Sequence, residues 1–142
     1  MSETFKAVLL EQGEEKVSAS VTDVDVDALP EGDVTVAVEY STINYKDGMA
    51  VQGNINKIMR SLPMAPGIDY AGIVEASDSG KFSVGDEVVL TGWGVGEAVS
   101  GGLSQRARAK ADWLVKKPEG LSLQQTMAIG TAGFTAMMSV LA

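Results

Sequence analysis

Alternation of apolar and polar residues between positions 33 and 41 is the feature that most constrains the fold of this chain. Val34, Val36, Val38 and Tyr40 fall on one face, and mostly polar residues occupy the other. A period of two puts successive side chains on opposite faces of an extended backbone. The pattern therefore predicts a half-buried β-strand whose three valines and Tyr40 point inward.

Six further β-prone stretches accompany this strand, and Gly- or Pro-containing turns separate most of them. They are residues 5–10, 16–24, 68–76, 87–91, 103–110 and 113–117. In the second stretch, alternation assigns Val17, Ala19 and Val21 to one half-buried face. Gly72 lies inside a strand and indicates a bulge or a close backbone crossing. Seven short strands, with short helical turns only between about residues 48 and 62, predict a mainly β fold, a compact barrel or sandwich.

Composition excludes several classes of function. The 142 residues include no Cys and no His, which excludes disulfides, Cys/His zinc sites, a His base and a Cys nucleophile. A net charge of −8 with scattered basic residues argues against a nucleic-acid partner. The chain also has no apolar run long enough for a signal peptide or a membrane span, so we expect a soluble, cytoplasmic protein without a membrane partner.

A polar cluster, Asn44-Tyr45-Lys46-Asp47, follows the alternating strand directly. Functional residues concentrate where a rigid element ends and a loop begins. Two interpretations fit the cluster: a functional site, or a polar turn that leads into a short helix beginning near Gly48. In the second interpretation Asp47 is an N-terminal helix residue, and Lys46 is either solvated or bound to a phosphate.

Residues 92–102 contain five glycines, a density found in phosphate-binding loops. The spacing does not match the dinucleotide fingerprint, because Glu97 and Val99 stand where the third glycine is required, and no Walker lysine follows. We therefore predict a flexible surface loop or lid.

Composition changes after residue 120. Ser122 is a candidate N-cap for a helix over residues 123–129, Gly130 breaks the helix, and Thr131 begins a second helical run to Ala142 that is apolar on nearly all sides. Such a helix needs burial on several sides, so we expect the 142 residues to be part of a longer protein.

Six motifs occur in an order that resembles one superfamily. They span residues 38–48, 66–72, 84–88, 92–96, 101–104 and 129–136. On these motifs the chain is similar to the zinc-free medium-chain dehydrogenase/reductase superfamily, in the branch of acrylyl-CoA reductases and quinone-oxidoreductase-like proteins. The resemblance covers essentially the whole chain.

The resemblance implies a GroES-like β-barrel domain over residues 1–120. Residues 121–142 would then form the first helix leading into an NADPH-binding Rossmann domain that lies beyond this chain. It also implies a homodimeric parent protein without a metal, which transfers hydride from NADPH to the β-carbon of an α,β-unsaturated acyl-CoA. A quinone or enone acceptor is the alternative.

The same resemblance suggests roles for four residues. Tyr45 and Asn44 are the predicted catalytic residues: Tyr45 approaches the nicotinamide, and the Asn44 amide donates to a thioester carbonyl. Tyr45, Lys46 and Thr131 are the predicted cofactor-binding residues. Structural interpretations stand beside these roles, since a Tyr can close the barrel and an Asn can stabilise a turn.

Three other features have competing interpretations. We expect buried Asp69 to be a structural anchor rather than an acid–base group, because a buried carboxylate must be hydrogen-bonded. Trp93 either lines an acyl entrance or packs on the barrel surface. The methionines are expected to fill the core.

A different kind of function is also possible for the sequence: a β-barrel module that binds a partner and has no catalytic activity. The apolar last helix argues against it, because residues 1–142 alone would expose that helix. Aggregation or dimerisation of the isolated chain is expected if the helix needs a partner, whereas a stable monomer would favour the binding module.

Overall fold

The computed structural model describes residues 3–142, and within this range seven β-strands and two α-helices form. The elements are β1 (Thr4–Gln12), β2 (Val17–Asp25), β3 (Val34–Ser41), α1 (Tyr45–Val51), β4 (Asp69–Ser77), β5 (Glu87–Thr91), β6 (Arg106–Ala109), β7 (Val115–Lys116) and α2 (Leu123–Leu141). All seven predicted strands are confirmed, although β6 and β7 are shorter than predicted.

Five strands form an antiparallel sheet in the order β6-β3-β4-β5-β7, and β1 and β2 form a separate hairpin. Strand β1 connects the two parts. Leu10 and Met64 exchange two backbone hydrogen bonds, of 2.9 and 3.0 Å, and the Val8 N–H donates to the Leu103 carbonyl at 2.8 Å. These bonds join the hairpin to the segments that precede β4 and β6.

Strand β3 provides the centre of the main core, as its alternation predicts. Val34 and Val36 are fully buried and pack with Tyr70, Val88 and Leu90. Burying an aliphatic side chain of this size contributes about 1.5–3 kcal/mol. The inward position predicted for Tyr40 is wrong: the register with β4 shifts between Val38 and Tyr40, and Tyr40 is exposed, because β3 leaves the core at this end. The candidate site lies there.

Gly72 confirms the predicted close crossing of two backbones. A Cβ atom at this position would lie 1.9 Å from the Ala37 carbonyl oxygen of β3. Only glycine permits this approach.

The prediction for β2 is wrong in one respect. Val21 is 72% exposed and Ala19 is also exposed, so the apolar face predicted for this strand is not covered. The reason is topological: among the described strands β2 pairs only with β1, and it lies outside the five-stranded sheet.

The glycine-rich segment differs from the predicted surface loop in part, because Gly96, Gly101 and Gly102 are buried, whereas Gly92 and Trp93 are exposed. A Cβ on Gly96 would lie 2.7 Å from the Gly67 carbonyl carbon, and one on Gly101 would lie 2.1 Å from the Gly67 carbonyl oxygen. The Gly102 N–H donates to the Gly67 carbonyl at 2.8 Å. These glycines permit two backbone segments to touch, a use that the motif spacing did not reveal.

Helix α2 confirms both signals read from its sequence. The Ser122 hydroxyl accepts from the Gln125 N–H at 3.1 Å, and the Gln125 side chain accepts from the Ser122 N–H at 2.8 Å, which is a capping box. Gly130 has φ 51° and ψ −164° and divides the helix into two halves.

The two halves of α2 differ in burial. In the first half, Leu123 and Met127 pack against Ala71 and Val89 of the sheet. The second half exposes large apolar side chains, among them Phe134, Met137, Met138, Val140 and Leu141. The expectation of core methionines is therefore met by Met59, Met64 and Met127 and is wrong for Met137 and Met138. No helix within residues 3–142 is long and apolar enough to cross a membrane.

Candidate functional site

The Asp69 carboxylate, fully buried at the start of β4, joins three segments of the chain. Its Oδ2 atom accepts from the Thr42 hydroxyl at 2.8 Å, the Asn44 amide Nδ2 at 3.0 Å and the Thr131 backbone N–H at 2.9 Å. Its Oδ1 atom accepts from the Thr131 hydroxyl at 2.5 Å. We call these four residues the Asp69 cluster. They link the end of β3 to the kink in α2.

Thr131, a predicted cofactor-binding residue, is held within this cluster. Its N–H and its hydroxyl both donate to Asp69. The carboxylate therefore lies at the N-terminus of the second half of α2, where the helix dipole favours an anion. Gly130 permits the arrangement, because a Cβ there would lie 3.0 Å from Thr42 Cγ2 and 3.1 Å from Asp69 Oδ2.

A second buried carboxylate, Asp47, fixes the polar cluster that follows β3. It accepts from the Asn44 N–H at 2.8 Å, which caps the start of α1, and from the N–H groups of Gly67 and Ile68 at 3.1 and 3.2 Å. Helix α1 therefore begins at Tyr45, earlier than the predicted Gly48. The prediction that Asp47 is an N-terminal helix residue is confirmed.

Asn44 lies between the two buried carboxylates. Its Nδ2 atom donates to Thr42 Oγ1 at 2.7 Å as well as to Asp69, and it lies 3.4 Å from Asp47 Oδ2. The amide N–H groups are therefore directed at acceptors within the chain. Donation to a substrate carbonyl, the role that the sequence suggests for Asn44, requires the amide to turn away from these acceptors.

Tyr45 differs from its neighbours in being 86% exposed. Its backbone is fixed at the first turn of α1, and it lines the same groove as Ile43, which is also exposed. Two open grooves meet at Ile43 and Asn44. One, of about 480 Å³, runs to the kink of α2, and the other, of about 410 Å³, runs along α1. Tyr45 thus offers a phenol and a ring face at the edge of a concave surface.

Lys46 forms an ion pair within the chain, so its ammonium is neither simply solvated nor available to a phosphate in this arrangement. Its ammonium is 2.5 Å from Glu97 Oε1, and Arg60 lies 3.8 Å from the other oxygen of the same carboxylate. Glu97 belongs to the packed glycine-rich segment, so the ion pair ties α1 to that segment.

Trp93 agrees with the surface interpretation. It is exposed and stacks on Trp113, with ring centroids 6.1 Å apart and an angle of 13° between the planes. It does not line either groove at Asn44.

Sequence reasoning missed two residues that matter here. Thr42 bridges Asn44 and Asp69, and Glu97 holds Lys46, yet neither has a recognisable local signal. Both act through partners far away in sequence. Among residues 3–142, no group of three or more Asp and Glu side chains comes together as a set of metal ligands.

Tyr70 adjoins Asp69 but points into the core, and burial raises the pKa of its phenol. Its hydroxyl has no hydrogen-bond partner within residues 3–142. It is therefore kept neutral by its surroundings and lies away from the exposed phenol of Tyr45.

Comparison with known families identifies the fold. Residues 30–119 match the model of the alcohol dehydrogenase GroES-like domain. The chain belongs to this family. The match confirms the GroES-like fold expected from the sequence motifs, and it includes β3, α1, β4 and the glycine-rich segment.

Three relatives of this GroES-like chain cover most of its length. An acrylyl-CoA reductase (AcuI) of Ruegeria pomeroyi is 54% identical over 140 residues, which is 97% of this chain and 42% of that protein. A quinone oxidoreductase of Lama guanicoe is 34% identical over 122 residues, 84% of this chain and 35% of that protein. An oxidoreductase of Salmonella enterica, solved in complex with NADP, has 54% identity and a TM-score of 0.92 over 96% of this chain and 42% of its own. The chain thus spans less than half the length of these relatives.

Proposed function

We propose that this chain is the N-terminal, GroES-like part of an NADPH-dependent reductase. The reductase would transfer hydride to the β-carbon of an α,β-unsaturated acyl-CoA, as in the conversion of acryloyl-CoA to propanoyl-CoA. The observation that carries the proposal is the 54% identity to an acrylyl-CoA reductase across 97% of the chain. The exposed Tyr45, which lines the groove along α1, supports placing that chemistry there.

Tyr45 is the residue that we propose to contact both the cofactor and the substrate. Its side chain is exposed, so its ring is free to pack on a nicotinamide and its hydroxyl is free to donate to a carbonyl oxygen. NADPH would supply the hydride when bound. A donor near the oxygen on which negative charge develops lowers the barrier most when its position is fixed in advance, and the Asp47 bonds at the start of α1 fix the backbone of Tyr45.

The other predicted site residues have contacts that modify their proposed roles. Thr131 would contribute through the position of the second half of α2, since Asp69 already accepts its two donors. Lys46 would reach a cofactor phosphate only by leaving Glu97. We propose that Asn44 mainly orients Tyr45, and that it donates to the thioester carbonyl only if its amide turns outward.

The domain organisation forms part of the same proposal. Residues 1–120 would form the catalytic domain, and residues 121–142 the crossing into an NADP-binding Rossmann domain. The exposed apolar second half of α2 supports this, because such a surface needs a covering partner. We further propose that the full-length protein is a zinc-independent, cytoplasmic homodimer.

A comparison of acceptors tests the proposal. The full-length protein that contains this chain is mixed with NADPH, and NADPH oxidation is followed with acryloyl-CoA and with a simple quinone. A higher kcat/KM for acryloyl-CoA is expected. A clear preference for the quinone would refute the acyl-CoA assignment.

An NADPH-dependent quinone or enone oxidoreductase is the second candidate. The 34% identity to a quinone oxidoreductase supports it. The two candidates share the hydride donor and differ in the acceptor, so the acceptor comparison separates them.

A further inference from the structure

A groove that does not include Tyr45 is lined by three positively charged side chains. It has a volume of about 860 Å³ and runs between the β1–β2 turn and residues 53–62. Lys16, Lys57 and Arg60 line it, against a single carboxylate, Glu15. The chain as a whole has a net charge of −8, so a locally positive concavity is the opposite of its average surface. We call it the basic groove.

Two of these cations are without a partner. Within residues 3–142, every Lys and Arg side chain other than Lys16 and Lys57 has an ion pair, a hydrogen bond or a ring contact. The third cation, Arg60, has only the 3.8 Å contact with Glu97, and its side chain is 73% exposed. In a chain with 19 acidic residues, unpaired ammonium groups that share one groove are available to an anion.

The loop that carries Lys57 is fixed rather than loose. The Asn54 side chain accepts from the Met59 N–H at 2.7 Å and donates to the Met59 carbonyl at 3.1 Å, and Met59 is buried. Asn54, Asn56 and Lys57 have φ values of 56°, 58° and 53°. Non-glycine residues adopt this conformation only when the surrounding structure imposes it. Lys57 is therefore held at the edge of the groove.

One short loop, residues 54–57, contributes to both the basic groove and the groove of Tyr45. The latter is lined at one end by Asn44 and Tyr45 and at the other by Ile55 and Asn56, and Asn56 is next to Lys57. A ligand with its reactive end at Tyr45 and an extended arm along α1 would reach the basic groove. CoA thioesters have this construction, since a long, flexible arm separates the thioester from a phosphate-bearing nucleotide.

From this geometry we infer that the basic groove binds the phosphates of the CoA moiety, through Lys16, Lys57 and Arg60. The inference rests on the proposed function, because it takes the acyl-CoA as substrate. Ammonium and guanidinium groups form charge-assisted bonds with phosphate oxygens. Glu97 contacts both Arg60 of the basic groove and Lys46 of α1. A phosphate bound to Arg60 would therefore weaken its contact with Glu97 and change the ion pair next to Tyr45.

Calorimetric titration of the full-length protein that contains this chain with coenzyme A tests the inference. The K16Q/K57Q variant removes the two unpaired charges, and a K6Q/K81Q variant removes the same charge from exposed lysines outside the groove, paired with Asp23 and Asp112. We expect K16Q/K57Q to weaken coenzyme A binding by about tenfold and K6Q/K81Q by less than about twofold. Raising the salt concentration should reduce the difference.

Further probes identify the source of the phosphate. Pantetheine, which lacks the nucleotide phosphates, should bind weakly and equally to all variants. Absence of coenzyme A binding to the wild-type protein, equal weakening by both double variants, or equally strong binding of pantetheine would overturn the inference. The inference would also be overturned if K16Q/K57Q weakened the binding of NADP or inorganic phosphate as much as the binding of coenzyme A. The groove would then bind the cofactor or any anion.

Two measurements keep the result independent of folding and of turnover. Coenzyme A should shift the amide NMR signals of residues 53–62 in the wild-type full-length protein, and signals that stay unchanged there would contradict the inference. If the full-length K16Q/K57Q variant reduces acryloyl-CoA with an unchanged KM, the role of the basic groove is refuted and the reductase assignment is not affected. Preference for a quinone, with coenzyme A binding still dependent on the groove, would overturn the reductase assignment alone.

Discussion

Replacement of Asp69 by Ala should strongly destabilise the protein at the candidate site. The side chain is fully buried, and it accepts from Thr42, Asn44 and both donors of Thr131. Alanine leaves these donors without their acceptor and leaves a small cavity between the end of β3 and the kink of α2. The substitution therefore tests whether one carboxylate assembles the site.

The magnitude follows from the donors that can find another partner. Asn44 retains the Thr42 oxygen, and the two threonine hydroxyls can rotate. The Thr131 backbone N–H is fixed by the helix, and a buried donor left unsatisfied costs about 1–3 kcal/mol. Adding the lost charge-assisted bonds from the other donors gives about 3–5 kcal/mol, the range found when a buried charged partner is removed. Asp69→Asn keeps the volume and one acceptor oxygen, so about half of this loss is expected.

Urea unfolding, followed by the fluorescence of Trp93 and Trp113 and by far-UV circular dichroism, measures the change in the free energy of unfolding. Hydrogen exchange at the Thr131 amide gives the local signature, which should accelerate strongly in Asp69→Ala. Asp112→Ala is the matched control, because this carboxylate is exposed and its ion pair with Lys81 lies on the surface; no measurable change is expected. A loss below about 0.5 kcal/mol in Asp69→Ala, the scatter typical of surface substitutions, together with a protected Thr131 amide, would refute the reasoning.

Three further substitutions test other parts of the structure. Tyr70→Phe removes a buried hydroxyl without a partner and should stabilise the protein by about 1 kcal/mol at pH 7. Burial raises the pKa of Tyr70 in the folded protein. Above the unfolded-state pKa of about 10, the unfolded chain releases the phenol proton while the folded chain keeps it, so the wild-type protein loses stability as the pH rises. The advantage of the variant in urea midpoint should therefore widen from pH 9 to 11, and a constant difference would contradict this account. Gly101→Ala should cost about 2–3 kcal/mol through overpacking against Gly67, whereas Gly80→Ala, where a Cβ meets open space, serves as its control in the same urea experiment. Tyr45→Phe should lower kcat/KM of the full-length protein by about tenfold, the worth of one hydrogen bond, with an unchanged melting temperature; unaltered kinetics would exclude the phenol hydroxyl from the reaction.

Much of the fold could be predicted because its signals are local. The alternation at Val34 and Val36 identified β3, Ser122 identified the start of α2, and Gly130 identified its kink. Each of these depends on neighbours within about one turn or a few residues of strand. The local pattern failed at Val21, whose burial depends on what covers its face and not on its own neighbours.

The site itself could be located from the sequence but not constructed from it. The position of Asn44 and Tyr45 after an apolar strand indicated the region of the candidate site, and the motif order indicated the family. Which donors Asp69 would accept was not visible, because Thr131 is 62 residues away along the chain. The contact exists only because the end of β3, the start of β4 and the kink of α2 come together.

The amino-acid sequence by itself determined the strands, the caps, the kink and the family of this protein, since these follow from local backbone preferences and from motif order. Tertiary structure alone decided that Asp69 binds Thr131, that Lys46 pairs with Glu97 across 51 residues, and that the glycine-rich segment packs on Gly67. It also decided that Lys16 and Lys57 share one groove. The physical reason is that hydrogen bonds and ion pairs depend on distances of a few ångströms in space, which separation along the chain does not specify.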